Sequence, residues 1–437
     1  MARFIYSCLL YLITPAVLLR MLWRSRKTSA YRKRWGERLG FSPRLTRQNP
    51  VIWVHAVSVG ETIASASLIK ALQRHYPDHY FLITTMTPSG SERVKAIHGN
   101  ALAHSYIPYD LPCALSRFLN RTSPCIAIMI ETELWPNTIA ACNKRNIPVI
   151  VANARLSKYS AKGYSRFGWI TRPMLQQLSI VACQHTDDGE RFLNLGLQKE
   201  KLHITGNIKF DIQVSEETKR SAAELRTSWE KGFGKPAQIF IASSTHAGEE
   251  QLIIDAFIQL KHQHRDLLLV LVPRHPERFN TVFQQAYHNG LNTIRYSQHE
   301  RVSFDTDIIL GDTMGEMMKF FSASDIAFVG GSLIERGGHN VLEPAAVGLP
   351  ILTGAYTFNF QDITSSLEKA RGLIRVRNAN DLIIEINKLL MDKHYQNNIG
   401  NNAKYFVENN QGALNRLLSV IIRQIATKTT ASTVRTN

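Results

Sequence analysis

The sequence predicts two α/β domains in tandem, each a doubly wound parallel sheet flanked by helices, behind an N-terminal apolar helix. Three observations predict this. The chain has 437 residues, more than one ordinary core accommodates. From residue 51 onward, short β-rich runs alternate with amphipathic stretches, the pattern of a parallel sheet covered on both faces. The alternation then occurs a second time, after a polar, charged stretch near residues 213–237.

The first element is the apolar run Phe4 to Leu19, 16 uncharged residues followed by Arg20, Arg24, Arg26, Lys27, Arg32, Lys33 and Arg34. A bilayer span needs about 20 residues, a length reached only if Arg20 snorkels and the helix continues to Trp23. The basic flank holds its side in the cytoplasm by the positive-inside rule and attracts anionic lipid. Only Arg3 precedes the run, and no small-residue cleavage site precedes the basic cluster. An uncleaved anchor, spanning or lying in the interface, is therefore expected over a removed signal. The alternative is a buried apolar helix of the first domain.

The first set of strands is expected at Val51 to His55, Tyr80 to Thr84, Ala103 to Ile107, Ile126 to Ile130, Val149 to Ala152 and Ile180 to Ala182. The second is expected at Ile239 to Ala242, Leu267 to Val272, Asp307 to Leu310, Ile326 to Val329 and Ile351 to Leu352. The expected organisation is an anchor with its basic flank over 1–27, a first domain over 28–212, a second over 213–425, and a Thr/Ser-rich disordered tail over 426–437. Ligands are expected between the halves, where strand ends converge.

Hydrophobic residues at 44% and charged residues at 20% describe a globular chain, neither disordered nor polytopic. The net charge of +17 calls for an acidic partner. A nucleic-acid binder would show a basic stripe interleaved with aromatics. Here the positive residues cluster beside the anchor and are otherwise dispersed, so a membrane-tethered nucleic-acid-binding protein is the weaker reading. The cysteines Cys8, Cys113, Cys125, Cys142 and Cys183 show neither CxxC nor Cys/His spacing. No disulfide framework or structural zinc is expected.

Chemistry concentrates at the turns that follow strands. In Trp53-Val54-His55-Ala56-Val57-Ser58-Val59-Gly60-Glu61-Thr62, a small-residue turn opens a helix whose free N–H groups suit an anion. Glu61 either complements the helix dipole or serves catalysis. In the second half, Gly330-Gly331-Ser332 and Gly337-Gly338-His339-Asn340-Val341-Leu342-Glu343-Pro344 follow a strand, as a phosphate or ribose loop would. Ser244 and His246 end another strand, and Arg274 after Pro273 offers a planar fork for phosphate or a nucleobase carbonyl. Taken singly, a structural ion pair is the better account of Arg274, and a core or surface histidine of His246 or His275. Four polar turns at strand ends of one domain favour a nucleotide site.

These segments resemble the 3-deoxy-D-manno-octulosonic acid (Kdo) transferases of lipopolysaccharide synthesis. The resemblance runs from the anchor and Tyr31-Arg32-Lys33-Arg34-Trp35-Gly36-Glu37-Arg38 to Asn410-Gln411-Gly412-Ala413-Leu414. In order it passes through HAVSVGET, TTMTPSGSERV, ETELWPN, NARLS, TGNIKFD, LVPRHPERF, DTMGEM and GGSLIERGGHNVLEP. It implies a GT-B fold, two Rossmann-like domains with an interdomain cleft, the acceptor in the first and the donor in the second. It further implies inverting transfer of Kdo from CMP-Kdo to the lipid A precursor lipid IVA at the cytoplasmic face of a bacterial inner membrane.

Glu61 matches the family's general base, and Glu131 and Lys209 its transition-state residues. Glu131 could equally be a strand-end salt bridge and Lys209 a solvated charge. Pro273, Arg274, Met314, Gly315, Glu316, Asn340, Val341, Leu342 and Glu343 match its CMP contacts, with Ser244 and His246 as phosphate candidates. The leaving group is a monophosphate and no DxD-like acidic pair stands out at a strand end, so neither metal nor cofactor is expected. Fold and glycine turns alone would also fit another GT-B enzyme acting on a lipid-linked or UDP-activated sugar.

Overall fold

A computed structural model of the chain describes residues 2–26, 29–45, 49–99 and 101–433. It divides into two compact units, Met1–Lys209 with Gln411–Asn437, and Phe210–Asn410.

The first unit holds a seven-stranded sheet of β1 (Val51–His55), β2 (Tyr80–Thr85), β3 (Ala103–Tyr106), β4 (Pro124–Ile130), β5 (Val149–Ala154), β6 (Ile180–Cys183) and β7 (Leu202–Ile204). The order is β3-β2-β1-β4-β5-β6-β7, with every pairing parallel. Strand residues alternate between two cores, as the period of two requires. Trp53 packs with Phe118 and Met129 on one face, and Ile52 and Val54 with Leu68, Leu72 and Ile128 on the other. The connections reverse between β1 and β4, so the turns leaving these strands lie side by side at the carboxyl edge, where doubly wound sheets bind ligands.

The last helix, Ala413–Thr433, belongs to this unit. Ala413, Leu417, Ile421 and Ile425, spaced every fourth residue, are buried against the Ile52 and Val54 face. The sequence analysis places this segment with the second domain and expects disorder from residue 426. The structure instead returns it to the first unit, because its apolar stripe buries against that sheet, and the helix continues to Thr433. Residues 434–437 lie outside the described residues.

The first helix is Ala2–Ser25, 24 residues long with a mean hydropathy of 1.8 over its apolar stretch. Only 11% of that stretch is buried, so it is not a core helix. One face is tied to the domain. Tyr6 Oη donates to Asp110 at 3.0 Å, Ser7 and Asn137 exchange hydrogen bonds, and Tyr109 Oη donates to Met21 Sδ at 2.7 Å. The opposite face leaves Phe4, Leu9, Leu12, Leu19 and Trp23 exposed. Lys27 of the basic flank lies outside the described residues.

The second unit repeats the architecture with β8 (Gln238–Thr245), β9 (Leu267–Pro273), β10 (Thr293–Arg295), β11 (Ile308–Leu310), β12 (Ile326–Val329), β13 (Ile351–Thr353) and β14 (Leu373–Arg375). The parallel order β10-β11-β9-β8-β12-β13-β14 reverses between β8 and β12. The turns after these two strands are again neighbours.

Candidate active site

In the first unit the turn after β1 forms a capping box. Ser58 Oγ accepts from the Glu61 N–H at 3.3 Å, at the start of helix Val59–His75. The Glu61 carboxylate folds back, accepting from the Ser58 hydroxyl and the Val57 N–H, both at 2.7 Å. The side chain is thereby locked over its own turn. Burial raises its pKa, the two hydrogen bonds oppose the shift, and the Glu131 charge adds to it.

The neighbouring turn begins at Glu131, directly after β4, with φ of +60°. A non-glycine residue there is strained by on the order of 1 kcal/mol, a cost that persists where the surroundings fix it. Here the Glu131 N–H bonds Ala152 O of β5 at 2.9 Å. Its Oε1 accepts from Lys209 Nζ at 2.9 Å, with both side chains about a third exposed. Lys209 arrives from the turn after β7. Asn153 Oδ1 accepts the Ile208 N–H at 3.1 Å, and Asn207 Oδ1 the Lys209 N–H at 3.0 Å. The ion pair read as an alternative for Glu131 exists, and its partner is Lys209.

A third carboxyl completes the cluster. Glu133 accepts from the Trp135 indole N–H at 2.7 Å. Its carboxyl is pushed up to about 7, chiefly by burial and then by the charges of Glu61 and Glu131. Sequence reasoning passes over Glu133, although the i, i+2 spacing of two carboxylates in ETELWPN signals it. Two acids with raised proton affinity, Glu61 and Glu133, beside the Glu131–Lys209 ion pair are the electrostatic signature of a site that handles a proton.

In the second unit Glu249 organises the turns. It opens helix Glu249–Gln263 after β8 and is fully buried. Oε2 accepts the His246 and Gly331 N–H groups at 3.1 and 2.6 Å, and Oε1 those of Ser332 and Leu333, both at 2.9 Å. Gly330 lies so close to β8 that a Cβ would come within 2.8 Å of Ser244 O. Ser244 itself has φ of +55°.

Around this scaffold His246 and His339 stack with Nε2 atoms 2.8 Å apart. The His339 pKa is lowered to about 4, first by burial and then by His246, Arg274 and His275. Both rings therefore act as neutral hydrogen-bonding groups. Glu343 is bonded by Asn340 Nδ2 at 3.1 Å, and its pKa is raised by burial against the pull of that bond and of Arg274. Arg274 follows β9, its backbone N–H bonding Thr245 O at 2.9 Å, and its side chain is exposed. No ion pair or hydrogen bond holds its guanidinium among the described residues, in contrast to the structural pairing weighed for it.

The structure thus joins His246, Arg274, His339, Asn340 and Glu343 in one electrostatic neighbourhood. Val341 and Leu342 are buried beneath it. Met314, Gly315 and Glu316 occupy the loop after β11 on the same edge of the sheet. Glu316 is held there by Thr313 Oγ1 at 2.7 Å and Tyr296 Oη at 3.3 Å, while Met314 is exposed. Pro273 ends β9, and Ser244 lies in the β8 bulge. Among the described residues no three His, Cys, Asp or Glu side chains are grouped to hold a metal ion.

Acid-rich turns on one doubly wound unit and a phosphate-type loop on another define a two-domain, GT-B-type glycosyltransferase. The family profile of glycosyl transferases group 1 matches residues 221–406. UDP-GlcNAc 2-epimerase from Neisseria meningitidis shares the fold, with a TM-score of 0.54 at 16% identity over 87% of this chain and 100% of its own.

The profile of 3-deoxy-D-manno-octulosonic-acid transferase (kdotransferase) matches residues 33–212. The 3-deoxy-D-manno-octulosonic acid transferase of Haemophilus influenzae is 43% identical over 96% of this chain and 98% of its own length. The C-terminal CMP-Kdo binding domain of WaaA from Acinetobacter baumannii matches 44% of this chain and 98% of its own at 32% identity, with a TM-score of 0.42. The chain belongs to the 3-deoxy-D-manno-octulosonic acid transferase family, and it is a Kdo transferase.

Proposed function

We propose that the chain transfers Kdo from CMP-Kdo to the lipid A precursor lipid IVA in lipopolysaccharide synthesis, with Glu61 as general base. The observation that carries this reading is the locked Glu61 carboxyl, its proton affinity raised, in the same cluster as the Glu131–Lys209 pair. Glu61 takes the proton of the acceptor hydroxyl as its oxygen bonds the Kdo anomeric carbon. The bond from that carbon to the phosphate oxygen breaks, CMP leaves with the electron pair, and the configuration inverts. Lys209 offsets negative charge near the sugar carboxylate or the phosphate, and Glu131 orients Lys209 and supports oxocarbenium character. On the donor side, Arg274, Ser244 and His246 meet the phosphate, and Glu343, placed by Asn340, meets the ribose. Pro273, Val341, Leu342 and the Met314–Glu316 loop shape the remaining nucleotide pocket.

Transfer proceeds without a metal, because a departing monophosphate presents no diphosphate to bridge. The N-terminal helix and its arginines hold the enzyme on the anionic cytoplasmic face of the inner membrane. Incubation with CMP-Kdo and lipid IVA should release CMP and add the mass of Kdo to the lipid. Absence of product sinks the assignment, whereas full activity in Glu61→Ala removes only the base. EDTA should leave turnover unchanged.

A further inference from the structure

The first unit contains an apolar cavity of about 230 Å³ between the inner face of helix Ala2–Ser25 and the turns after β2 and β3. Leu10, Ile13 and Val17 form one wall, Met86 and Ile107 the other, and Trp135 closes one end. Its volume exceeds that of an engineered apolar cavity of about 150 Å³ that stays dry and binds benzene.

Its polar lining offers nothing to a polar guest. Thr14 Oγ1 donates to Leu10 O at 2.6 Å, and the Tyr109 hydroxyl to Met21 Sδ at 2.7 Å. The Asp110 carboxylate accepts from Tyr6 Oη, the N–H groups of Asn137 and Thr138, and Thr138 Oγ1, at 2.6–3.0 Å. A cavity whose polar groups are all satisfied internally favours an apolar occupant over water.

Two further observations decide which occupant. The helix that forms one wall is long and apolar enough to cross a bilayer, and its outer face exposes Leu9, Leu12 and Leu19, so the cavity lies where hydrocarbon chains are at hand. The other walls lead to the acid cluster. Trp135 donates to Glu133 at 2.7 Å, and Met86 N–H meets the carbonyl of Val57, whose own N–H binds Glu61. A chain seated here is tethered to a headgroup beside the proposed base.

We infer that this cavity takes one fatty acyl chain of the lipid acceptor, so that acyl recognition sets the headgroup against Glu61. The inference rests on the lipid-acceptor reading above. The test uses the full-length enzyme with CMP-Kdo and two acceptors, tetraacylated lipid IVA and its fully deacylated glucosamine disaccharide, which keeps both phosphates but no acyl chain. Leu10→Trp and Val17→Trp fill the cavity, and Leu12→Trp adds the same bulk to the 77% exposed outer position. The cavity variants should raise KM for lipid IVA at least tenfold while leaving kcat/KM for the fully deacylated acceptor within twofold. Leu12→Trp should match wild type on both.

Unchanged KM for lipid IVA in both cavity variants overturns the inference, as does equal loss on both acceptors, which would mark a structural defect or a resident phospholipid. If wild type uses neither acceptor, the lipid-acceptor reading itself falls. Wild-type turnover with indifferent variants removes the cavity alone.

Discussion

As the proposed base, Glu61 meets two demands that pull in opposite directions. A capping carboxylate is best ionised, because it accepts N–H and O–H bonds at a helix start, whereas a base needs a proton affinity near working pH. Burial and the neighbouring Glu131 raise its proton affinity in the direction of the second without removing the first. Glu61→Gln keeps the size and one carbonyl acceptor, so CMP binding by calorimetry should be unchanged while kcat falls by about 10²–10⁴. In wild type, kcat should decline as pH falls through the raised Glu61 pKa, since the protonated acid takes no proton.

Glu133 should appear in stability. Its native carboxyl keeps its proton from the ordinary glutamate range, near 4.5, up to about 7. Unfolding in that window releases a proton, so stability falls as pH rises through it. Glu133→Gln removes the slope and should gain about 2 kcal/mol at pH 8 and nothing at pH 4, after discounting for partial exposure. Differential scanning calorimetry at the two pH values checks this. Of the three acids, Glu61 and Glu131 are legible through their motifs. Glu133 is not, because its proton affinity comes from burial and from the charges of Glu61 and Glu131, against the pull of the Trp135 bond.

At the scale of elements, Glu249 shows why a correct pattern can still hide its working part. SSTHAGEE reads as a helix start suited to phosphate, and a glutamate in a first turn passes for a dipole complement. In the fold it instead receives the N–H groups of the turn after β12 and sets the shape of the loop that carries His339 and Asn340. Glu249→Gln turns an amide N–H₂ toward those donors. It should cost the second unit about 3 kcal/mol and weaken CMP binding more than tenfold, read by thermal melting and by calorimetry. The long central strands are legible because they are continuous apolar runs buried on both faces. β7, β10 and β14 are three-residue edge strands, too short for any periodicity to register.

For the molecule as a whole, the proposed membrane-face location leaves open whether the first helix, long and apolar enough to cross a bilayer, does so. The sequence alone also misses where the chain ends, since the stripe Ala413, Leu417, Ile421 and Ile425 becomes meaningful only once the open face of the first sheet is known. The contacts of the first helix favour the interface. From Tyr6 to Met21 it is fastened to the domain, over a rise of about 22 Å at 1.5 Å per residue. To span the bilayer in this state it would draw the polar cluster of Asp110, Asn137 and Thr138 into the hydrocarbon, where polar groups are costly. Lying in the interface instead sinks Phe4, Leu9, Leu12, Leu19 and Trp23 among acyl chains and leaves the arginines at the headgroups. Both ends of the helix should then face the cytoplasm. An epitope placed before Ala2 should be digested by protease in inside-out inner-membrane vesicles and protected in spheroplasts. The reverse pattern would show that the helix detaches from the domain and crosses the membrane.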